Sequence, residues 1–174
     1  MKNYQMLLCA GAVALSACNM NNKAAQSAKA DSLTTTAGTI QDSTTKQLTA
    51  QMSIANSLKA GDSVLLKFTV VNGADSAQRF CKWHTPFEPL MSQYLNVKNE
   101  KGEEVTYLGI MAKRMMPPPE SSYQMLNAKD SATVTVDLLK AYAIKEPGKY
   151  SITYAGENMS GIKPGKGTSF TYVK

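Results

Sequence analysis

The chain has 174 residues, 43% of them hydrophobic and 18% charged, with a formal net charge of +6, three Cys and one His. That length supports one ordinary domain with a tail and excludes two large ones. The single histidine, His84, cannot build a two-histidine zinc motif such as His-Glu-x-x-His, and any Ser-His-Asp triad would have to use that same residue.

The first predicted element is a leader. Lys2 precedes an apolar run over residues 6–17. As a helix that run rises only about 18 Å, against roughly 30 Å of hydrocarbon core, so it reads as a secretory signal and not as a membrane span. It ends in Leu15-Ser16-Ala17-Cys18, which resembles the lipobox of bacterial lipoproteins. The resemblance implies cleavage after residue 17, diacylation of the Cys18 thiol, and a cell-envelope protein whose first partner is the membrane that holds its lipid. Asn19, standing where an Asp would signal retention in the inner membrane, implies the outer membrane. The alternative is an ordinary leader in which Cys18 is incidental.

Residues 18–47 read as the lipidated Cys followed by a polar tether. Residues 19–47 hold no aromatic side chain and are dominated by Asn, Ala, Ser, Thr, Lys and Gln. Such a composition buries too little apolar surface to offset the entropy of ordering, and as a flexible coil it spans roughly 30 Å. With Cys9 in the leader and Cys18 on lipid, Cys81 stands alone, so no internal disulfide is expected. In Arg79-Phe80-Cys81-Lys82-Trp83, strand alternation makes Cys81 a small buried apolar residue. Odd spacing in an extended chain would put Cys81 and His84 on opposite faces, against a Cys-His nucleophile.

From Leu48 onward the apolar period becomes two. Val64, Leu66, Phe68 and Val70 alternate with Leu65, Lys67, Thr69 and Val71, between turns at residues 59–63 and 72–76. Further strands are predicted over residues 79–83, 94–98 and 104–108, the last two joined by Asn99-Glu100-Lys101-Gly102, where Gly102 suits a positive φ. Ala132, Val134, Val136 and Leu138 mark another strand, residues 137–143 a brief helical stretch, and Tyr150, Ile152 and Tyr154 a strand after Pro147-Gly148. Residues 170–173 make the last. Seven or eight short strands with regular turns predict an all-β, immunoglobulin-like antiparallel β-sandwich over residues 48–174. The entry of Tyr150 after a Gly turn resembles the tyrosine corner of such sandwiches, a structural role.

Four segments in order carry a second resemblance. They are Arg79-Phe80-Cys81-Lys82-Trp83-His84-Thr85-Pro86-Phe87-Glu88, Tyr107-Leu108-Gly109-Ile110-Met111-Ala112-Lys113-Arg114, Val136-Asp137-Leu138-Leu139-Lys140-Ala141-Tyr142, and Pro147-Gly148-Lys149-Tyr150-Ser151-Ile152-Thr153-Tyr154. Together they resemble the non-catalytic N-terminal β domain of peptidyl-lysine metalloendopeptidases, the deuterolysin-type zinc proteases, over roughly residues 48–155. In that family a catalytic domain with His-Glu-x-x-His and a further Asp on zinc follows the β domain. No His-Glu-x-x-His exists in this sequence, so no zinc ligand carries over. The expectation is a stand-alone accessory domain without enzymatic activity or cofactor.

Candidate binding residues lie in two loops. In His84-Thr85-Pro86-Phe87-Glu88-Pro89, His84 and Glu88 could form a metal corner, but two ligands do not make a structural zinc site, and a solvated or hydrogen-bonded His is expected. Trp83 before it reads as a core residue. In Met111-Ala112-Lys113-Arg114-Met115-Met116-Pro117-Pro118-Pro119-Glu120, three prolines favour extended backbone, and three Met flank two cations. This is either a crossover whose Met side chains pack under the sandwich edge, or a binding loop for a protein or peptide; a copper(I) thioether site is the remote third reading. The residues proposed to bind are His84, Phe87, Glu88, Lys113, Arg114, Met115 and Met116. Lys163, Lys166 and Lys174 among glycines read as solvated, with attraction to anionic headgroups or glycans as the alternative. No basic run interleaved with aromatics points to nucleic acid. The expected function is an envelope lipoprotein presenting a binding or accessory module, possible partners including a protease domain or its substrate. A sandwich-type protease inhibitor, a zinc-protease relative lacking the catalytic residues, and a purely structural envelope protein are the alternatives.

Overall fold

The computed structural model describes residues 47–88 and 90–174. The leader, Cys18, residues 19–46 of the tether and Pro89 lie outside the described residues. In chain order the strands are β1 (Leu48–Ser53), β2 (Ser57–Lys59), β3 (Leu65–Asn72), β4 (Gln78–Cys81), β5 (Leu95–Lys98), β6 (Tyr123–Leu126), β7 (Ser131–Asp137), β8 (Gly148–Tyr154) and β9 (Thr168–Val173). One sheet has the order β1-β3-β7, a second β2-β9-β8-β5, and β4 pairs with β6. This is the expected β-sandwich. No helix among the described residues is long and apolar enough to cross a membrane.

Period-two patterning explains which faces meet. On β3 the inward residues Leu66, Phe68 and Val70 are fully buried, while Leu65 and Lys67 face out. From the second sheet Val97, Ile152 and Phe170 close on the same core, joined by Leu95, Tyr150, Tyr154 and Tyr172. Each fully buried Leu, Ile or Phe of this set contributes about 1.5–3 kcal/mol of transfer free energy. The Tyr150 hydroxyl donates to the Glu146 carbonyl at 2.7 Å, and its ring stacks on Phe170 at 5.3 Å. That is the tie-back expected of a tyrosine corner.

Among the described strands, one pair departs from a wholly antiparallel scheme, and an isolated bridge between Thr49 and Lys163 is parallel as well. β1 runs antiparallel to β3, from Leu48 opposite Asn72 to Ser53 opposite Lys67, but β2 lies parallel to β9 in the other sheet. The chain thus changes sheets across Ile54-Ala55-Asn56, so each sheet gains an N-terminal strand at one of its edges. Asp137 ends β7 by accepting from Val64 N and Leu139 N, both at 3.2 Å, which starts a 3-10 turn at Leu138–Lys140 in place of the brief helix expected there. A helical turn not foreseen, α1 (Glu157–Ser160), follows β8.

Two local expectations are corrected. Residues 104–108 are not a strand but two isolated bridges, Lys98 with Glu104 and Tyr107 with Tyr142. The segment changes partner: Val105 N bonds to Val97 O at 2.8 Å, whereas Leu108 N bonds to Ala141 O at 2.7 Å. No continuous ladder can form across such an exchange. The strand predicted to run to Trp83 stops at Cys81, because residues 82–88 turn back on themselves. Trp83 is buried, yet it stands outside the central apolar cluster, at the sandwich edge.

Candidate functional site

The edge where Trp83 sits is assembled from two segments far apart in sequence. After β4, Lys82 N donates to Ser122 O at 2.7 Å, which extends the β4–β6 pairing toward the 3-10 turn Glu120–Ser122. Thr85, fully buried, then organises the turn. Its hydroxyl donates to Lys82 O at 2.6 Å and accepts from Phe87 N at 3.1 Å, while Glu88 N reaches Thr85 O at 3.2 Å. His84 takes a left-handed φ of 58°, and its carbonyl accepts from the Tyr154 hydroxyl at 3.1 Å. The contact of His84 is therefore made by its backbone. Phe87 points inward and meets Phe80 edge-on at 5.2 Å and Phe68 at 6.4 Å. It anchors the turn to the core, and the next residue, Glu88, is delivered to the edge.

The second segment begins at the Asn99 turn. The Asn99 side-chain oxygen accepts from Lys101 N and Glu103 N, both at 3.0 Å, and Gly102 supplies a φ of 81°. The chain returns along β5, and the Tyr107 hydroxyl lies 3.1 Å from both Leu90 O and Ile110 O. Ala112 N bonds to Met91 O at 2.9 Å. Along these ties and just past them five large apolar side chains face out: Leu108 is 65% exposed, Ile110 59%, Met111 68%, Met115 88% and Met116 65%. The reading in which the methionines pack beneath the sandwich is corrected by these values. The backbone bonds of residues 105–112 fix which side faces inward, and the inner side is already taken by Val105 and Tyr107.

Arg114 turns the other way from Met115. It forms an ion pair with Glu88, both side chains being mostly buried, and its guanidinium lies 4.8 Å from the centre of the Trp83 ring. The cation thus joins the two segments by charge and by a cation-π contact. Glu88 Oε2 and Arg114 Nε are buried without a hydrogen-bond partner among the described residues, although both belong to this same pair. Beside it, Arg79 makes a two-pronged pair with Glu120 at 2.9 Å and covers the Tyr123 ring at 4.4 Å. Both carboxylates of the edge are thereby neutralised. Lys113 is exposed and makes no ion pair among the described residues. Trp83, Lys113, Arg114, Met115, Pro117 and Pro119 enclose a shallow recess of about 370 Å³.

Of the residues proposed from sequence, Glu88 and Arg114 come together, Lys113, Met115 and Met116 lie on the same edge, Phe87 serves the core, and His84 contributes its carbonyl. Sequence reasoning passed over Leu108 and Ile110 as surface, placed Met111 in the candidate loop without naming it among the binding residues, and did not see Trp83 as part of the edge. A usable signal existed, since Tyr107-Leu108-Gly109-Ile110-Met111 is apolar on both faces of an extended chain and only one face can be covered.

Other features offer less chemistry. Cys81 is 2% exposed, and burial pushes its thiol pKa up, with the Glu88 charge adding to the effect and a backbone hydrogen bond at Trp83 opposing it. Such a thiol is a poor nucleophile. No group of three or more His, Cys, Asp or Glu side chains gathers among the described residues. A recess of about 680 Å³ lies along β1 near Gln51, Asn72 and Lys166, and its lining holds no acid, aromatic ring or sulfur. The apolar segment is the stronger candidate, because it leaves five large apolar side chains exposed within residues 108–116, and apolar surface exposed together in this way marks interaction sites.

Comparison with known proteins agrees with this architecture. A Neutral protease 2 homolog of Arthroderma gypseum is 28% identical over 95 residues, covering 54% of this chain and 26% of its own length. An Extracellular protease of Aeromonas hydrophila is 31% identical over 93 residues, covering 53% of this chain and 26% of its own. The chain spans about a quarter of the length of these curated relatives. A beta-glucosidase from Listeria innocua shares 14% identity over 74% of this chain and 16% of its own, at a TM-score of 0.37, too low to carry an argument. The profile of the immunoglobulin-like domain family matches residues 50–166, more than half of the chain. With its two facing sheets, its sheet-switching first strands and its tyrosine corner, the chain belongs to the immunoglobulin-like domain family.

Proposed function

We propose that this protein is a lipid-anchored component of a bacterial cell envelope whose β-sandwich is a non-catalytic docking module for a protein partner, and that the partner carries a peptidase domain. The observation that carries the reading is the edge formed by Leu108, Ile110, Met111, Met115 and Met116, exposed and held in place by the Arg114–Glu88 pair. Backbone hydrogen bonds already hold the segment that carries them, so a partner that covers these side chains is spared the entropy of ordering that backbone, which suits the surface to binding. The identity of the partner draws support from the relatives, two proteases in which the matching stretch is about a quarter of a longer chain. Anchorage rests on Leu15-Ser16-Ala17-Cys18, and the outer membrane on Asn19.

The test places a photo-crosslinking amino acid at Leu108 in the full chain, expressed in its own envelope, with Lys59 on β2 as the control position. The reading expects one dominant adduct at Leu108, absent at Lys59, whose mass spectrum identifies a peptidase-bearing protein. Equal labelling at the two positions, or an adduct with a protein lacking such a domain, would sink it. Loss of the partner's proteolysis on adding this chain would turn the reading into that of an inhibitor. Palmitate labelling that survives Cys18→Ser would reject the anchor.

A further inference from the structure

The exposed edge has an unusual sulfur content. Of the seven large apolar side chains exposed among the described residues, four are methionine: Met111, Met115, Met116 and Met125. Three of these fall within six positions of one another on the proposed docking edge. Met52, Met91 and Met159 are only partly exposed, and Met52 packs against the core. The remaining sulfur among the described residues, that of Cys81, is 2% exposed. An oxidant arriving from solvent therefore meets thioethers before it meets the thiol.

We propose that Met111, Met115 and Met116 are a reversible oxidation site, attacked by hypohalous acids or peroxides, whose conversion to sulfoxide switches off docking at this edge; the consequence for docking rests on the function proposed above. With hypochlorous acid, a sulfur lone pair attacks the oxidant, an S–O bond forms and the O–Cl bond breaks. Sulfur loses two electrons, chlorine gains them and leaves as chloride, and the proton goes to water. In the return step two thiols of a methionine sulfoxide reductase give up two electrons and two protons to become a disulfide, the S–O bond breaks, and the thioether and water are released. The sulfoxide is polar and chiral, so a partner that covered a flexible apolar side chain must then bury an S=O dipole without a donor facing it.

The edge suits reversible modification because its methionines are not needed for the fold. Arg114 and the backbone bonds of residues 105–112 hold the segment, and the five exposed apolar residues stand outside the core cluster. Oxidation changes the chemistry of the surface and leaves its scaffold in place.

The experiment treats the full lipidated chain with graded hypochlorous acid and maps sulfoxides by peptide mass spectrometry. The expected result is oxidation of Met111, Met115 and Met116 about fivefold or more faster than Met52 and Met159, with an unchanged unfolding midpoint. The adduct formed through the photo-crosslinker at Leu108, a position that cannot be oxidised in this way, should fall about tenfold or more, and recover after treatment with the two reductases. A variant with Met111→Leu, Met115→Leu and Met116→Leu should crosslink equally with and without oxidant. Equal oxidation rates at all methionines, or full crosslinking by the sulfoxidised protein, overturns the inference. Absence of the adduct in the untreated protein overturns the docking function itself and the switch with it.

Discussion

Arg114 is the residue on which the edge turns. Its charge sits against Glu88, whose side chain is only 15% exposed, and over the Trp83 ring. Removing one member of such a pair strands the other, which costs more than the pair itself contributes. Arg114→Met should therefore destabilise the domain by about 1–3 kcal/mol, the lower end reflecting the access of water to the pair. Glu88→Gln combined with Arg114→Met should recover most of that loss, since no charge is then left alone. Urea denaturation of the two variants and the parent decides it; equal stability of the single and double variants would mean that the pair carries no coupling. None of this was readable from spacing. A tryptophan after an alternating strand reads as core whether it lies at the centre or the rim, and the guanidinium that claims it arrives 31 positions later.

At the scale of elements, the parts with local causes were legible and the parts with distant causes were not. β3, β7, β8 and β9 follow from period-two apolar patterning and Gly or Asn turns, and each appears where the pattern puts it. Residues 104–108 have the same pattern but no lasting partner, because neighbouring elements divide their hydrogen bonds between β5 and residues 141–143. The methionines of residues 111–116 were ambiguous for another reason, since an apolar side chain carries no mark of whether something covers it. α1 also has a distant cause. A Cβ at Gly156, which leads into it, would sit 2.1 Å from His84 O and 2.6 Å from the Tyr154 hydroxyl. This close approach seats α1 against the turn that begins at Lys82. Gly156→Ala should cost about 1–3 kcal/mol through the shift it forces. It should also loosen the His84 carbonyl from Tyr154, read as faster amide exchange over residues 82–88. A variant with unchanged exchange there would show that the two segments are independent.

The whole molecule should respond to alkali more than to acid through its tyrosines. Burial pushes the hydroxyl pKa values of Tyr94, Tyr142 and Tyr154 well above the ordinary 10, and those of Tyr107 and Tyr150 up as well. In Tyr142 a hydrogen bond to the Leu95 carbonyl opposes the effect, and in Tyr154 a side-chain hydrogen bond with the Ser160 hydroxyl does so. A folded pKa above the unfolded one favours the native state below pH 10, and that stability is lost as pH rises beyond it, because the unfolded chain ionises first. Each such tyrosine steepens the loss by up to about 1.4 kcal/mol per pH unit. Unfolding free energy measured from pH 8 to pH 12 should stay level and then fall from about pH 10. Absorbance at 295 nm should show these phenols ionising only as the fold is lost. Their ionisation in a still-folded protein would contradict the burial of Tyr94, Tyr142 and Tyr154.

One consequence of the first strand concerns mechanical load. β1 is gripped on both sides: its full length is in register with β3, and on its other side Ala50 N bonds to Lys163 O at 2.8 Å and Lys163 N to Leu48 O at 2.9 Å. Any pull transmitted to the domain from its N-terminal side enters at Gln47. Directed along the strand, that pull loads the two rows of bonds together, so they must shear as a set and cannot unzip one by one. The sheet switch at Ile54-Ala55-Asn56 then passes the remaining load to β2 and β9 in the opposite sheet, which divides the tension between both layers. The same arrangement that gives each sheet an extra edge strand thus makes the start of the domain its strain-bearing seam.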